Sequence, residues 1–313
     1  MILTLTLNPS LDRTIEIASL ARGTVIRAAT AHLDPGGKGV NVCRALLANQ
    51  VRSCAVVPYG GAEGGQLVSL LSQEGIQMIT VPVSGPTRSN VTLAEPDGTI
   101  TKINEPGTAL SAAELDAVAD AVLGAAESAD WVVASGSLPP GVPVDLYAQL
   151  CRRFTQAGIN VAVDTSGPAL VSAVASAPAL VKPNREELAE ATGGAIASLG
   201  DAIDAAGKLR AMGARSVLAS LGPDGAILVE DGRAWHGQCP VHEPRSTVGA
   251  GDAMLAGFLA AGAQGEAALV EALAWASAAV ALPGSRMPSP ADIHRGSVRI
   301  IDPDPTKPLT SGD

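Results

Sequence analysis

Thr247-Val248-Gly249-Ala250-Gly251-Asp252-Ala253-Met254 is the stretch on which the reading of this chain turns. Its two glycines form a turn that runs straight into an apolar helical pattern, Met254 to Ala263. Lacking a Cβ, Gly249 and Gly251 let the backbone bend sharply and come close to a ligand. The first N–H groups of the helix have no partner inside it and lie at the positive end of its dipole. That arrangement suits an anion, and a phosphate above all. Asp252 does not suit a resting anion site, because a carboxylate repels phosphate. It suits a base working beside a charge that the turn holds; the plainer reading is a helix N-cap.

Outward from this turn, strand-like and helix-like runs alternate along the chain. Strands are expected at Ile2–Leu7, Cys54–Val57, Ile76–Val81, Trp131–Ala134, Asn160–Val163, Leu180–Lys182, Ser216–Ser220 and Ala226–Glu230. Helices are expected at Val40–Leu47, Gly65–Gln73, Ala112–Ala126, Val144–Gln156, Asp201–Met212 and Ala267–Leu282. This alternation predicts an α/β fold, a mostly parallel central sheet covered by helices on both faces. Ligands then belong at the loops that follow the strands. Two insertions fall outside the pattern. Residues 14–34 hold short polar β pieces, and residues 89–104 read as a hairpin around Pro96-Asp97-Gly98, since Asp-Gly supplies the positive φ angles of a tight turn. Together they predict a small sheet outside the main one. Residues 1–301 read as one domain, and the Pro-rich, polar stretch 302–313 as a disordered tail.

Composition narrows the function classes. The chain has 313 residues, 47% of them hydrophobic but only 2% aromatic, so Ala, Val, Leu and Ile must build the core. A formal net charge of −10 argues against nucleic acid and anionic membranes as partners. An anionic substrate must therefore be held by a few local cations. Cys43, Cys54, Cys151 and Cys239 are scattered without a Cys-x-x-Cys pair, which reads as buried thiols in a reducing compartment. No basic leader with an apolar core and no membrane-length run occurs, so a cytoplasmic protein is expected. No G-x-x-x-x-G-K-[ST] or H-E-x-x-H motif occurs either, and Gly36-Gly37-Lys38-Gly39 lacks the third glycine of a dinucleotide turn.

Three segments taken together resemble the ribokinase-like (PfkB) carbohydrate kinases: Gly36-Gly37-Lys38-Gly39-Val40-Asn41, Asn184-x-x-Glu187, and Thr247 to Asp252. Thr6 to Asp12, Ser135 to Gly141 and Lys182-Pro183-Asn184 are similar to the branch that phosphorylates ketohexose phosphates. The resemblance covers almost the whole chain. It implies a ribokinase-like three-layer α/β/α fold whose small β-sheet closes over the sugar as a lid, with ATP as phosphate donor and Mg²⁺ as cofactor. The implied reaction is foremost fructose 1-phosphate to fructose 1,6-bisphosphate, with tagatose 6-phosphate and fructose 6-phosphate as alternative acceptors.

The resemblance also implies roles for named residues. Asp252 becomes the general base, and the N–H groups of Gly249, Ala250 and Gly251 become the anion hole for the transferring phosphoryl group. Asn184 and Glu187, sharing one helix face, would orient water on Mg²⁺. Lys182, Asn184, Ser220, Gly222 and Gly225 would follow the nucleotide, together with Gly249 and Gly251. On the acceptor side, Asp12 and Asn41 suit sugar hydroxyls, with Gly37 and Ser137 in the same pocket. Lys38, Arg88 and Asn90 suit the phosphate already on the sugar, Arg88 gripping it in a fork. Arg27, on the first insertion, would reach that phosphate or a neighbouring subunit's. A lid with one uncovered apolar face predicts a homodimer. The reading from another class is a sugar-phosphate or nucleotide sensor without turnover, against which an intact Asp252 and Asn184-x-x-Glu187 count.

Overall fold

Val, Leu, Ile and Ala fill the runs that become strands, and because they point both ways along each strand, both faces must be covered. The computed structural model describes residues 1–310, and in it the main sheet has ten strands. Its parallel part runs Met78–Pro82, Ser53–Tyr59, Ile2–Thr6, Trp131–Ser135, Asn160–Asp164, Leu180–Val181 and Ser216–Ser220. Ala226–Glu230, Arg233–Gln238 and Arg299–Ile301 continue it antiparallel. Val132 packs into the core on one face, and its neighbour Val133 into the core on the other, against Phe258 and Trp275. These two cores make the three layers.

Ile2–Thr6 is where the strand order reverses. Ser53–Tyr59 pairs on one side of it and Trp131–Ser135 on the other. Such a reversal opens a crevice beyond the carboxyl ends of the strands, where open α/β sheets bind their ligands.

A separate four-stranded sheet runs in the order Thr30–Gly36, Ser10–Glu16, Arg88–Ala94, Ile100–Asn104. It lies where the two insertions predict a sheet, but its first strand starts at Ser10. The pairings of Ser10 with Gly36 and with Arg88 carry the sheet to the mouth of the crevice. Asp12 thereby comes into register with Asn90.

Two elements differ from the sequence expectation. Arg233–Gln238 and Arg299–Ile301 are strands at the edge of the sheet, and a half-exposed edge needs no continuous apolar run to mark it. The stretch expected to be disordered is packed as far as it is described. Leu309 is buried, and its N–H bonds Ala197 O at 2.9 Å. Asp224 accepts from Thr310 N at 2.7 Å and from Thr310 Oγ1 at 3.2 Å. One leucine and one buried acid suffice to fix a segment whose composition is that of a solvated tail. The disorder expected at 311–313 falls outside the described residues. Among the described residues, no helix is long and apolar enough to cross a membrane.

Candidate active site

Two helix N-termini meet over the crevice. Helix Ala250–Ala260 starts at Gly249, whose φ of 77° lies in the left-handed region that L side chains avoid. A Cβ there would also meet Met287 Cε at 2.7 Å. Among the described residues no acceptor takes the N–H groups of Gly249, Gly251 or Asp252, while that of Ala250 reaches back to Thr247 O at 3.4 Å. Helix Lys38–Ala48 starts at Gly37. The two helices are joined where Asn41 Nδ2 donates to Asp252 Oδ2 at 2.9 Å.

Asp252 is not the N-cap. Gly249 holds that position, and no side-chain cap is made. The Asp252 carboxylate is 7% exposed and faces Asn41. Burial raises its pKa, and the neighbouring charge of Asp164 raises it further. The Asn41 hydrogen bond, Lys38 and Lys182 pull it back, and the balance stands at about 6. It can therefore take a proton near neutral pH.

Asp164 belongs to the same buried cluster, and the sequence reading does not single it out. It is fully buried at the end of strand Asn160–Asp164. Lys38 Nζ donates to its Oδ1 at 2.7 Å, and Lys182 Nζ lies 3.1 Å from its Oδ2. Desolvation works against the Asp164 charge, but Lys182 and Lys38 outweigh it and hold its pKa below the ordinary carboxylate value. Two neighbouring carboxyls are thus driven apart, one fixed as an anion and one titrating near neutrality, which is how an acid–base pair divides its roles. For Lys38 desolvation also opposes the charge, but Asp164, Glu187 and Asp252 prevail and raise its pKa above the usual lysine value. A signal was there to read: an acid directly after an apolar strand, at the end where the crevice lies.

Asn184 and Glu187 form a capping box rather than lying together on one helix face. Asn184 is the N-cap of helix Arg185–Thr192. Glu187 N donates to Asn184 Oδ1 at 2.8 Å, and Asn184 N donates to Glu187 Oε2 at 2.9 Å. This reciprocal bonding is what Asn-x-x-Glu favours at a helix start. It leaves Glu187 Oε1 facing Lys38 Nζ at 3.4 Å. Among the described residues no cluster of three or more His, Cys, Asp or Glu side chains could cage a metal. An ion such as Mg²⁺, which keeps much of its water and binds substrate phosphates, needs no such cage, and Glu187 is the carboxylate of this capping box that could face its water, in exchange for its contact with Lys38.

The residues expected along the nucleotide are brought together, with one exception. Asn184 bridges Ser220 on the adjoining strand, and Gly222 follows with open space where a side chain would stand. Lys182 rests against the helix start, its Nζ 3.2 Å from where a Gly251 Cβ would be. Gly225 answers to the neighbouring strand instead, because a Cβ there would lie 2.0 Å from Gly237 O.

On the acceptor side, Asp12 Oδ1 accepts from Asn90 Nδ2 at 2.9 Å and from Ser10 Oγ at 2.7 Å. Arg88 joins the small sheet to the main one, donating from Nη2 to Asn8 O and from Nη1 to Glu105 O, each at 3.0 Å. Its Nε is buried without a partner. Beside it is a cavity of about 20 Å³ lined by Asn8, Thr87 and Thr108. Asn8 in turn donates to Ser137 Oγ at 3.1 Å. Lys38, expected with this group, is drawn to Asp164 instead, the stronger attraction for an ammonium at the sheet end. Arg27 is exposed on a loop and makes no hydrogen bond or ion pair among the described residues.

A family model described as pfkB family carbohydrate kinase matches residues 5–292. The 1-phosphofructokinase of Xanthomonas campestris pv. campestris is 41% identical over 266 residues, covering 83% of each chain. The ATP-dependent 6-phosphofructokinase isozyme 2 of Escherichia coli is 36% identical over 300 residues, 94% of this chain and 97% of that protein. A crystal structure of phosphofructokinase-2 from Escherichia coli in complex with substrates and products superposes with a TM-score of 0.88 at 36% identity, covering 93% of this chain and 96% of that one.

Proposed function

The chain belongs to the pfkB family of carbohydrate kinases, and we propose that it transfers phosphate from ATP to the free primary hydroxyl of fructose 1-phosphate. It is a phosphotransferase acting on an alcohol group, and the identity of the sugar phosphate is the finer step taken here. The observation that carries it is Asp252: a buried carboxyl with a pKa of about 6, not used as a cap, set among unpartnered N–H groups. A sensor has no use for such a group.

In this reading Asp252 takes the proton from the acceptor hydroxyl as it attacks the γ-phosphate. The N–H groups of Gly249 and Gly251, with Ala250 between them, receive the charge on the transferring oxygens, and Lys182 and Lys38 add to it. Asn184 and Glu187 would hold Mg²⁺ through water, and the ion would supply positive charge against the phosphates of ATP. Ser220 and Gly222 line the nucleotide. Asp12, Asn41 and Asn90 orient the sugar hydroxyls, with Gly37 and Ser137 alongside. Arg88 turns its unpartnered Nε to the phosphate already on the sugar, and Arg27 completes that end from a second subunit. The small sheet exposes Ile100 and Ile103, and the loop between its strands Ser10–Glu16 and Thr30–Gly36 exposes Leu20 and Val25, which supports its acting as a lid paired with a second copy. The placement is cytoplasmic.

Fructose 6-phosphate is the alternative acceptor, favoured by the 36% identity to the 6-phosphofructokinase; tagatose 6-phosphate is a further one. ADP release measured with each of the three sugar phosphates tests the assignment. Fructose 1-phosphate should give the highest kcat/KM by at least about tenfold, the value of roughly 1.4 kcal/mol in the transition state. A higher value for another acceptor moves the assignment to that sugar. Tight binding with no ADP from any of them returns the sensor reading.

A further inference from the structure

Arg44 has no part in that chemistry, yet its side chain is only 9% exposed, and a guanidinium is seldom buried unless it is paired. It stands one turn beyond Asn41 on helix Lys38–Ala48. Glu74, at the end of helix Gly61–Gln73, grips it from two sides, with Arg44 Nε to Oε2 at 2.7 Å and Nη2 to Oε1 at 2.8 Å. The remaining Nη1 donates to Ser285 O at 3.2 Å and makes a long contact of 3.5 Å with Asn41 Oδ1. Both contacts lead to the same place. Asn41 carries its Nδ2 to Asp252, and Ser285 lies two residues before Met287, which packs on Gly249.

An amide accepts at oxygen and donates at nitrogen, whereas a guanidinium only donates. We infer that Arg44 is a positioning residue, clamped by Glu74 so that it keeps the Asn41 oxygen toward itself and the Asn41 nitrogen toward Asp252. Without it the amide is free to turn its oxygen to the carboxylate. The anion then loses a donor and faces a lone pair, so Asp252 holds its proton to higher pH. The other charged groups that face Asp252 are Asp164 on its strand, Lys38 on the first helix and Lys182 beside Gly251, and none of them is altered. The inference rests on Asp252 being the base.

The test is the pH dependence of kcat/KM for the sugar phosphate. Arg44→Met should move the acid limb upward by about half to one unit, part of what a hydrogen bond to a charged group is worth. Activity at pH 6 should fall about two- to fivefold and recover to within about twofold at pH 8.5, since deprotonation restores the base. A merely structural defect would not recover. The same substitution in an Asn41→Ala background should leave the limb where that variant has it. An unshifted limb overturns the inference, and so does an equal shift without Asn41, which would mean that Arg44 acts only by its charge. If Arg44→Met does not fold, Glu74→Ala loosens the clamp and should move the limb the same way by less; no shift there also overturns it. Asp252→Asn separates the two levels. Should that variant keep turnover, the base assignment falls and takes this inference with it; should it lose turnover while Arg44→Met leaves the limb unmoved, only the role of Arg44 falls.

Discussion

Replacing Asp252 by Asn should make the enzyme slower and more stable at once. The carboxyl rises from the ordinary 3.8 to about 6 on folding, chiefly by burial. An acid whose pKa is raised in the folded state is costly when ionised. The cost is absent below pH 3.8, grows between 3.8 and about 6, and is complete above that. A rise of about two units corresponds to on the order of 3 kcal/mol, of which roughly half is present at pH 5. Asn removes the charge, keeps an oxygen for Asn41 Nδ2, and forfeits no helix cap, because Gly249 makes the start of the helix. Melting in urea at pH 8 should therefore show a gain of up to a few kcal/mol that shrinks as the pH is lowered toward 4. Turnover should fall by roughly 10²–10⁴-fold, the usual worth of a general base, while titration shows ATP and sugar phosphate still bound. A folded variant with turnover within about threefold of the parent would refute the base. A variant less stable than the parent at pH 8 would refute the electrostatic account.

Arg88→Ala should raise KM for the sugar phosphate by about ten- to a hundredfold and KM for ATP far less, the loss expected for one charge-assisted contact; steady-state kinetics that weaken both substrates equally would assign Arg88 only its tie between Asn8 and Glu105. Asp164→Asn leaves Lys38 and Lys182 without their shared counter-ion, so equilibrium unfolding should show a loss of about 3–5 kcal/mol, and an unchanged midpoint would deny the pairing. Ile103→Lys on the small sheet should convert a dimer to a monomer in sedimentation at micromolar concentration. A parent chain that sediments as a monomer would remove the lid pairing altogether.

How much of this was legible in the chain follows from the range of the forces involved. Strand Ser216–Ser220 and helix Ala112–Ala126 have the bounds that periodicity predicts, because alternation and helical spacing are local properties of sequence. Local chemistry also explains Asn184 and Glu187, whose spacing makes a capping box whatever else they do. Asp252 was legible as a residue at odds with its glycine turn. Its protonation was not, since that depends on Asp164, Asn41, Lys38 and Lys182 converging from distant parts of the chain. The same distance hid Asp164, which looks like a loop acid until two lysines close on it, and Arg44, which looks like a surface cation until Glu74 and Ser285 surround it. The segment Asp302–Thr310 escapes a reading of composition for the converse reason: its residues are polar, but Asp224 and a buried Leu309 fix it in place. The sequence by itself determined the layered fold and the glycine turn, because backbone geometry and hydrophobic period are written residue by residue. Only the tertiary structure decided which carboxyl is an anion and which is a base, because burial and charge act through space and not along the chain.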